Sequence, residues 1–505
     1  MELKCHCGGR LILHNTLTTP YVWAFTTYFA EGFPYTIIRI ISSVFFRDIG
    51  VSLQAIGLTS LYGIPWVLKF LWGPHIDEYG TKRTWMLLMQ GALVLIIGLM
   101  ALLVPVPWGI KVIAIILLVG SFIAATHDMA IDGYYMEALD EKGQAKFVGY
   151  RVMAYRIAMM TGTGIIVTVG TTTSWRLAYL CAASMLGLLF AYHTLLLPRA
   201  ESYKKPLTNL LRSTLSYRLA VGGGLLALSI FLFFKLVIPY RNRHIVSLIP
   251  VLGKIGFSGW MAIGLLLGLV CLGLFKNRIK ALMLRDKSSF YARAFIAFMD
   301  RERMGVALAF IILMRTGESM LASMASPFIV DLGIKVHYGW ISGGVGLPFS
   351  IVGAMVGGWF IARYGLKKTI WPFLLAQNFT NLIYMALAFH LQPFVVLNTG
   401  APAATPIGLA NVVLVASVHA FDQFAGGLGT SVLVTYLMRT CLDEFKAAHF
   451  AVGSGLMNIS GVLAGASSGF LAAWLGYGAF FGVSFLASLP GMALIFFIPF
   501  LEEKA

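Results

Sequence analysis

Apolar residues run in blocks of about 20 along almost the whole chain, and short polar segments divide them. A helix rises 1.5 Å per residue, so a block of about 20 apolar residues matches the hydrocarbon thickness of a bilayer. The blocks do not alternate with the polar face that a helix lying on a membrane carries. The pattern predicts spans near 20–44, 55–72, 85–104, 110–131, 152–172 and 177–197. It predicts six more near 306–330, 338–361, 370–389, 408–436, 449–472 and 478–499, and two extra spans between the sets near 219–239 and 257–275. The expected fold class is therefore an all-α polytopic membrane protein with 14 transmembrane helices. The expected divisions are a tail at 1–19, a six-helix bundle at 20–197, a central insert at 198–304, a second bundle at 305–499 and a tail at 500–505.

The polar breaks echo one another. "GPHIDEYGTKR" at 73–83 and "GWFIARYGLKK" at 358–368 share their glycine, tyrosine and basic positions. "FFRDIG" ending at Gly50 pairs with "FIVDLG" ending at Gly333, and "LDE" at 139–141 returns at 442–444. The first two echoes lie 285 and 283 residues apart, and the third 303, because the loop at 391–408 lengthens the second half. Two six-helix units repeated in parallel are one transporter architecture.

Composition excludes other classes. The chain is 58% hydrophobic and 12% charged, against about 45–50% and about 25% in ordinary globular chains. A net charge of +17 raises the question of nucleic acid, but the bases sit in short loops, and no soluble domain presents them with interleaved aromatics. With both termini in the cytoplasm, 26 of the 38 bases fall on cytoplasmic segments, 7 on outside loops and 5 within helices. That bias sets the expected orientation, although "YRNRH" at 240–244 runs against it. Residues 1–19 lack the apolar core and cleavage site of a signal peptide. Cys5 and Cys7, with His6 and His14 nearby, fall short of the four ligands a structural zinc site needs, so no metal and no cofactor are expected. Residues 276–303 interleave bases with apolar residues, a pattern suited to a helix on anionic lipid.

The motif at 73–83 resembles the cytoplasmic signature of the major facilitator superfamily, G-x-x-x-D-[RK]-x-G-R-[RK]. Gly73, Asp77, Gly80 and Lys82 match, with Arg83 following, while Glu78 and Thr81 depart. In the second copy Gly358, Arg363, Gly365 and Lys367 match, and Ala362 replaces the acid. "EGFP", "WVLKFLWGPHIDEYG", "ATHDMAID", "YRIAMMTG", "AMVGGWFIARYG" and "FDQFAGGLGTSVLVTYLMRTC" are similar to AmpG-type muropeptide permeases and the related acetyl-CoA transporter family. The resemblance implies two six-helix bundles with extra central helices, working in a bacterial inner membrane. It also implies proton-driven import of anhydro-muropeptides. That family commonly has Gln beside the fourth-span Asp, where this chain has His127.

Charges inside the spans support transport without the resemblance. Each costs about 2.5–3.5 kcal/mol on insertion scales and usually marks a pathway or a paired site. They cluster on the first span (Glu31, Arg39), the fourth (His127, Asp128, Asp132), the seventh (Arg315, Glu318) and the tenth (His419, Asp422), whereas the third, sixth and twelfth have no Asp, Glu, Lys or Arg. The resemblance places the first and fourth spans of each half around a central cavity. A carboxyl held away from water keeps its proton more readily, which makes Glu31, Asp128, Asp422 and Glu318 candidates for proton coupling. Arg39, His127, Arg315, His419, Gln423 and Tyr35 are candidates for binding an anionic small molecule. The bland alternatives are a self-neutralising Arg315–Glu318 pair, an Asp132 paired with Lys69 or Arg156, and a hydrogen-bonded neutral acid at Glu31 or Asp422.

"GASSG" at 465–469 fits a nucleophile pattern around Ser467, but Gly461, Gly465 and Gly469 have the four-residue spacing of helices in close contact. The expected function is a secondary active transporter, not an enzyme, acting as a monomer. The rivals are carriage of another anion such as a CoA ester, an intramembrane enzyme using His127 and Asp128, and a non-transporting sensor.

Overall fold

A computed structural model describes residues 18–69, 72–73, 76, 79–199, 205–209, 278, 296–395, 407–442 and 446–501. The extra spans near 219–239 and 257–275, most of the basic segment 276–303, the cysteine tail and Asp77 lie outside the described residues.

Among the described residues, helix covers each of the twelve paired apolar blocks, and nine helical stretches are long and apolar enough to cross a membrane. The first is α1 (Pro20–Thr36), which passes through a π-helical turn at Ile37–Ile41 into α2 (Ser42–Asp48). Pro34 supplies no backbone N–H to the turn before it, which leaves a gap in the ladder one turn ahead of the π turn. The second span is α3 (Leu53–Leu58), a 3-10 turn and α4 (Ile64–Leu68). Next come α5 (Lys82–Leu103), α6 (Gly109–Ala138) and α7 (Glu141–Met160), the last continuing through a second π turn to α8 (Val167–Thr172). The sixth span is α9 (Trp175–Leu196).

In the second half α10 (Met304–Leu313) and α11 (Thr316–Asp331) share one span. After them come α12 (Leu347–Tyr364), α13 (Leu366–His390) and α14 (Leu409–Thr440). The last helix, α15 (Lys446–Leu494), breaks at Gly476 into two passes. Side-chain caps start several helices: Ser52 accepts from Ala55 N–H, Asp140 from Gly143 N–H and Ser174 from Leu177 N–H.

The duplication shows in the backbone. Gly50 and its counterpart Gly333 have φ of 92° and 74°, and Gly80 and Gly365 have 64° and 80°. All four end or turn the chain in the left-handed region that only glycine enters freely, so the repeat conserves backbone shape along with residue type.

By spatial grouping one unit holds the chain to Ile38 and resumes at Lys69, and the other takes Arg39–Leu68 with the second half. The first unit packs around Trp23, Tyr28, Met86, Ile131, Tyr134 and Phe147. The second packs around Phe310, Leu374, Tyr436, Leu437 and Met492. Leucines and aromatics also point outward, with Leu95, Leu188, Leu195 and Trp474 each at least 74% exposed. Apolar residues on both faces are what a helix between protein and lipid requires. The chain is a multi-pass membrane protein.

Inside the second unit, close helix contact explains the small-residue runs. A Cβ on Gly469 would lie 2.0 Å from Leu53 O, and one on Gly465 would lie 1.9 Å from Ser60 Oγ. Ser467 Oγ donates back to Leu463 and Ala464 carbonyls at 3.2 and 2.9 Å, so the serine is a helix-packing residue. Gly353 likewise lets α12 meet Phe424 of α14.

Candidate site in the first unit

Three helices bring polar groups to one pocket. From α1 come Tyr28, Glu31 and Tyr35, spaced three and four apart on one face. From α6 comes Asp132, one turn after Asp128. From α7 come Arg151, Val152, Tyr155, Arg156 and Met159, again at helical spacing. They line an open cavity of about 380 Å³. Gly32 makes the convergence possible, because a Cβ there would lie 2.9 Å from Tyr155 O.

The charges form two connected groups. Tyr28 OH donates to Asp132 Oδ1 at 2.7 Å, and Arg151 Nη1 donates to Tyr28 OH at 2.8 Å and to Asp132 Oδ1 at 3.2 Å. The Arg151 guanidinium also lies over the Tyr28 and Tyr135 rings, 5.1 and 5.3 Å from their centroids, a placement that holds a cation by ring electrostatics. In the second group Lys69 Nζ donates to Asp128 Oδ2 at 2.7 Å, and Glu31 adjoins Asp128. Lys69 thus meets Asp128, and Asp132 meets Arg151, instead of the Asp132 pairing with Lys69 or Arg156 weighed from sequence. Asp132 is about two turns from the end of α6, where the middle of α7 passes it at Arg151. His127 is buried beside Asp128, with Nε2 unpartnered among the described residues.

Other candidates lie in the second unit. Arg39 donates to Ser60 O at 2.8 Å, with Gly63 packed against its guanidinium, so it is tied to the second span. Arg315 and Glu318 form a bidentate pair at 2.6 Å on both arms. Asp422 Oδ1 accepts from Thr380 Oγ1 at 2.8 Å, Gln423 Nε2 donates to Asp422 Oδ2 at 3.3 Å, and Glu318 adjoins Asp422. His419 Nδ1 and Tyr384 OH are 2.8 Å apart. His419 and Asp422 are buried and Arg39, Arg315, Glu318 and Gln423 half-buried, each with a polar partner, an arrangement that tolerates charge in an apolar setting.

In the first copy of the repeated loop, Lys82 is buried, reaches Ile76 O at 3.2 Å and packs its stem on Gly133. Arg83 Nη2 donates to His193 and Thr194 carbonyls at 3.2 and 2.7 Å. Gly73 sits against Met129, and Gly80 against Leu207. In the second copy Arg363 lies over Trp359 and Tyr364 at 5.5 and 5.7 Å, and nothing crowds Gly358 or Gly365. The first copy is therefore the more tightly bound to its surroundings. Lys367 follows the Gly365 turn in the first turn of α13.

Sequence reasoning did not single out Arg151, Tyr155 or Arg156 for the site. Arg151 reads as a loop base under the orientation rule, although its four-residue spacing to Tyr155 was a helix-face signal available beforehand.

Comparison with known proteins agrees with this architecture. The family model described as Major Facilitator Superfamily matches residues 24–314. The chain is 23% identical over 480 residues to the Anhydromuropeptide permease of Escherichia coli (strain K12), covering 92% of this chain and 77% of that one. It is 20% identical over 481 residues to the Putative transporter AmpG 4 of Rickettsia conorii, covering 93% and 94%. Among solved structures, a peptide transporter POT in complex with sulfate superposes with a TM-score of 0.63 at 14% identity, covering 94% of each chain; it bears on fold alone. The chain belongs to the Major Facilitator Superfamily and is a secondary transporter, not an enzyme.

Proposed function

We propose that the protein imports anhydro-muropeptide-like cell-wall fragments together with a proton, by alternating access. The observation that carries this reading is the pocket of Tyr28, Glu31, Tyr35, Asp132, Arg151, Tyr155 and Arg156 within apolar helices. Arg151 and Arg156 offer planar donors suited to a peptide carboxylate. Tyr35 and Tyr155, with ring centroids 5.9 Å apart and planes tilted by 52°, offer faces on which a sugar ring can lie. The named activity of the Escherichia coli relative supports the same substrate class.

The pairing pattern supports the proton. Asp132 pairs with Arg151 and Asp128 with Lys69, while Glu31 adjoins Asp128 and its Oε2 is buried with no hydrogen-bond partner among the described residues. Two adjoining carboxylates repel each other, and a shared proton removes that repulsion. Loading and release of that proton is the coupling step in this reading. Asp422 and Glu318, with Arg315, His419 and Gln423 beside them, form the corresponding polar set of the second unit. The accompanying proposals are cytoplasmic termini, a bacterial inner membrane, a monomer, and anionic lipid against 276–303.

The test is uptake of radiolabelled anhydro-muropeptide into vesicles, with and without an imposed pH gradient. Gradient-stimulated uptake supports the reading. Uptake indifferent to the gradient removes the proton, and binding of a CoA ester with no muropeptide uptake removes the substrate class.

A further inference from the structure

One buried face of α13 is polar: Gln377, Asn378, Thr380, Asn381 and Tyr384 follow one another at helical spacing. A helix that needs only to pack inside a membrane carries apolar residues there, because each buried polar head must find a partner. Gln377 and Asn378 are each 1% exposed, yet among the described residues neither Gln377 amide atom nor Asn378 Oδ1 has a hydrogen-bond partner. Turning the Gln377 amide over exchanges one orphaned atom for the other. Turning that of Asn378 would set its oxygen against Leu374 O, to which its Nδ2 donates at 2.9 Å. Both heads therefore keep an oxygen to offer.

The neighbouring helices of the second unit bring acids to the same level. A Cβ on Gly429 of α14 would lie 1.7 Å from Gln377 Oε1, and one on Gly317 of α11 would lie 3.3 Å from Asn378 Oδ1. A Cβ on Gly426, one turn from both Asp422 and Gly429, would lie 3.6 Å from Glu318 Oε1. Glu318 is paired with Arg315. The polar neighbours of Asp422 are Thr380, Gln423 and Glu318, and none of these is a base. Thr380 Oγ1 lies 2.8 Å from Asp422 Oδ1 and 2.7 Å from Gln377 O. A hydroxyl has one proton for these two acceptors, so whenever it donates to the backbone it turns a lone pair toward the carboxyl. A cation touching both oxygens removes that repulsion.

We infer that this seam of α11, α13 and α14 binds a sodium ion, anchored on Asp422 and Thr380 and completed by the side-chain oxygen of Gln377, with Asn378 Oδ1 beside it. Gln377 makes no hydrogen bond that turning toward the ion would break. Carboxylate, hydroxyl and amide oxygens suit a hard cation, and no group of three His, Cys, Asp or Glu suited to a transition metal occurs among the described residues. One carboxylate without a base balances one positive charge, whereas a divalent ion would leave a net charge away from water. The site goes beyond the import reading and stands or falls without it.

The test is equilibrium binding of radiolabelled sodium to the purified full chain in lipid nanodiscs. Saturable binding of about one ion per chain is expected, displaced by unlabelled sodium and about tenfold less well by potassium. Asp422→Asn removes the charge and is expected to abolish binding. Gln377→Met keeps the volume without the amide and is expected to weaken binding about tenfold, as loss of one contact to a charge does. Because Asp422→Asn can disturb folding, Gln377→Met supplies the second measurement; exchanging an unpartnered buried amide for an apolar group is expected to leave its melting temperature in sodium-free buffer no lower than the parent's. The parent's melting temperature is expected to rise with sodium but not with N-methylglucamine, and that of Gln377→Met to need about tenfold more sodium for the same rise. No saturable binding by the monodisperse parent, or binding unchanged in both variants, overturns the site. Potassium displacing the label as well as sodium overturns the choice of ion. Sodium binding by protein that imports no muropeptide leaves the site standing, and pH-driven import without sodium binding removes the site and leaves the import reading.

Discussion

Glu31 is the residue on which the proton argument turns, and Glu31→Gln is the perturbation that isolates it. Gln keeps the volume and a hydrogen-bonding head but cannot lose a proton. Glu31 adjoins Asp128, which Lys69 already pairs, so one proton shared by the two carboxyls is the load this reading expects per cycle. One pH unit supplies about 1.36 kcal/mol per proton, which at zero membrane potential corresponds to about tenfold accumulation of solute. The assay is solute uptake into proteoliposomes with the potential clamped and a gradient of one pH unit imposed. Wild type is expected to accumulate about tenfold inside over outside. Glu31→Gln is expected to equilibrate at about onefold while exchanging labelled for unlabelled solute within about twofold of the wild-type rate, because its pocket is otherwise intact. Accumulation by Glu31→Gln at the wild-type ratio refutes the assignment. A wild-type ratio near a hundredfold refutes the count of one proton.

Arg151→Gln removes the cation shared by Asp132, Tyr28 and Tyr135; it is expected to raise the half-saturating solute concentration about tenfold or more, consistent with the loss of about 1.5–3 kcal/mol in a hydrogen bond to a charged group. In the second unit, Gly469→Leu forces a side chain onto Leu53 O, and a loss of at least about 1–3 kcal/mol should appear as a lower melting temperature in detergent. Ser467→Ala removes a hydroxyl that donates back to its own helix; it is expected to change stability by less than about 0.5 kcal/mol and to leave uptake unchanged, and loss of uptake would reopen the nucleophile reading.

The amino-acid sequence by itself showed the twelve apolar blocks, which are helical where the structure describes them, and the echo between their polar breaks. Bilayer thickness dictates how long an apolar block must be, and that length is visible without knowing any neighbour. It also showed which helices carry charge, since an ionisable residue in an apolar block stands out wherever it points. Only the tertiary structure decided which charges meet. Glu31 and Arg39 are eight apart on one span, yet the π turn at Ile37–Ile41 shifts the helical phase between them, and Arg39 turns to Ser60 while Glu31 faces Asp128. Arg151 lies beyond the predicted start of its span, but α7 begins ten residues earlier, at Glu141, and that extra helix carries the guanidinium to Asp132. Pairings of this kind depend on helix rotation and on where one helix passes another, and both are set by packing contacts that no local pattern encodes.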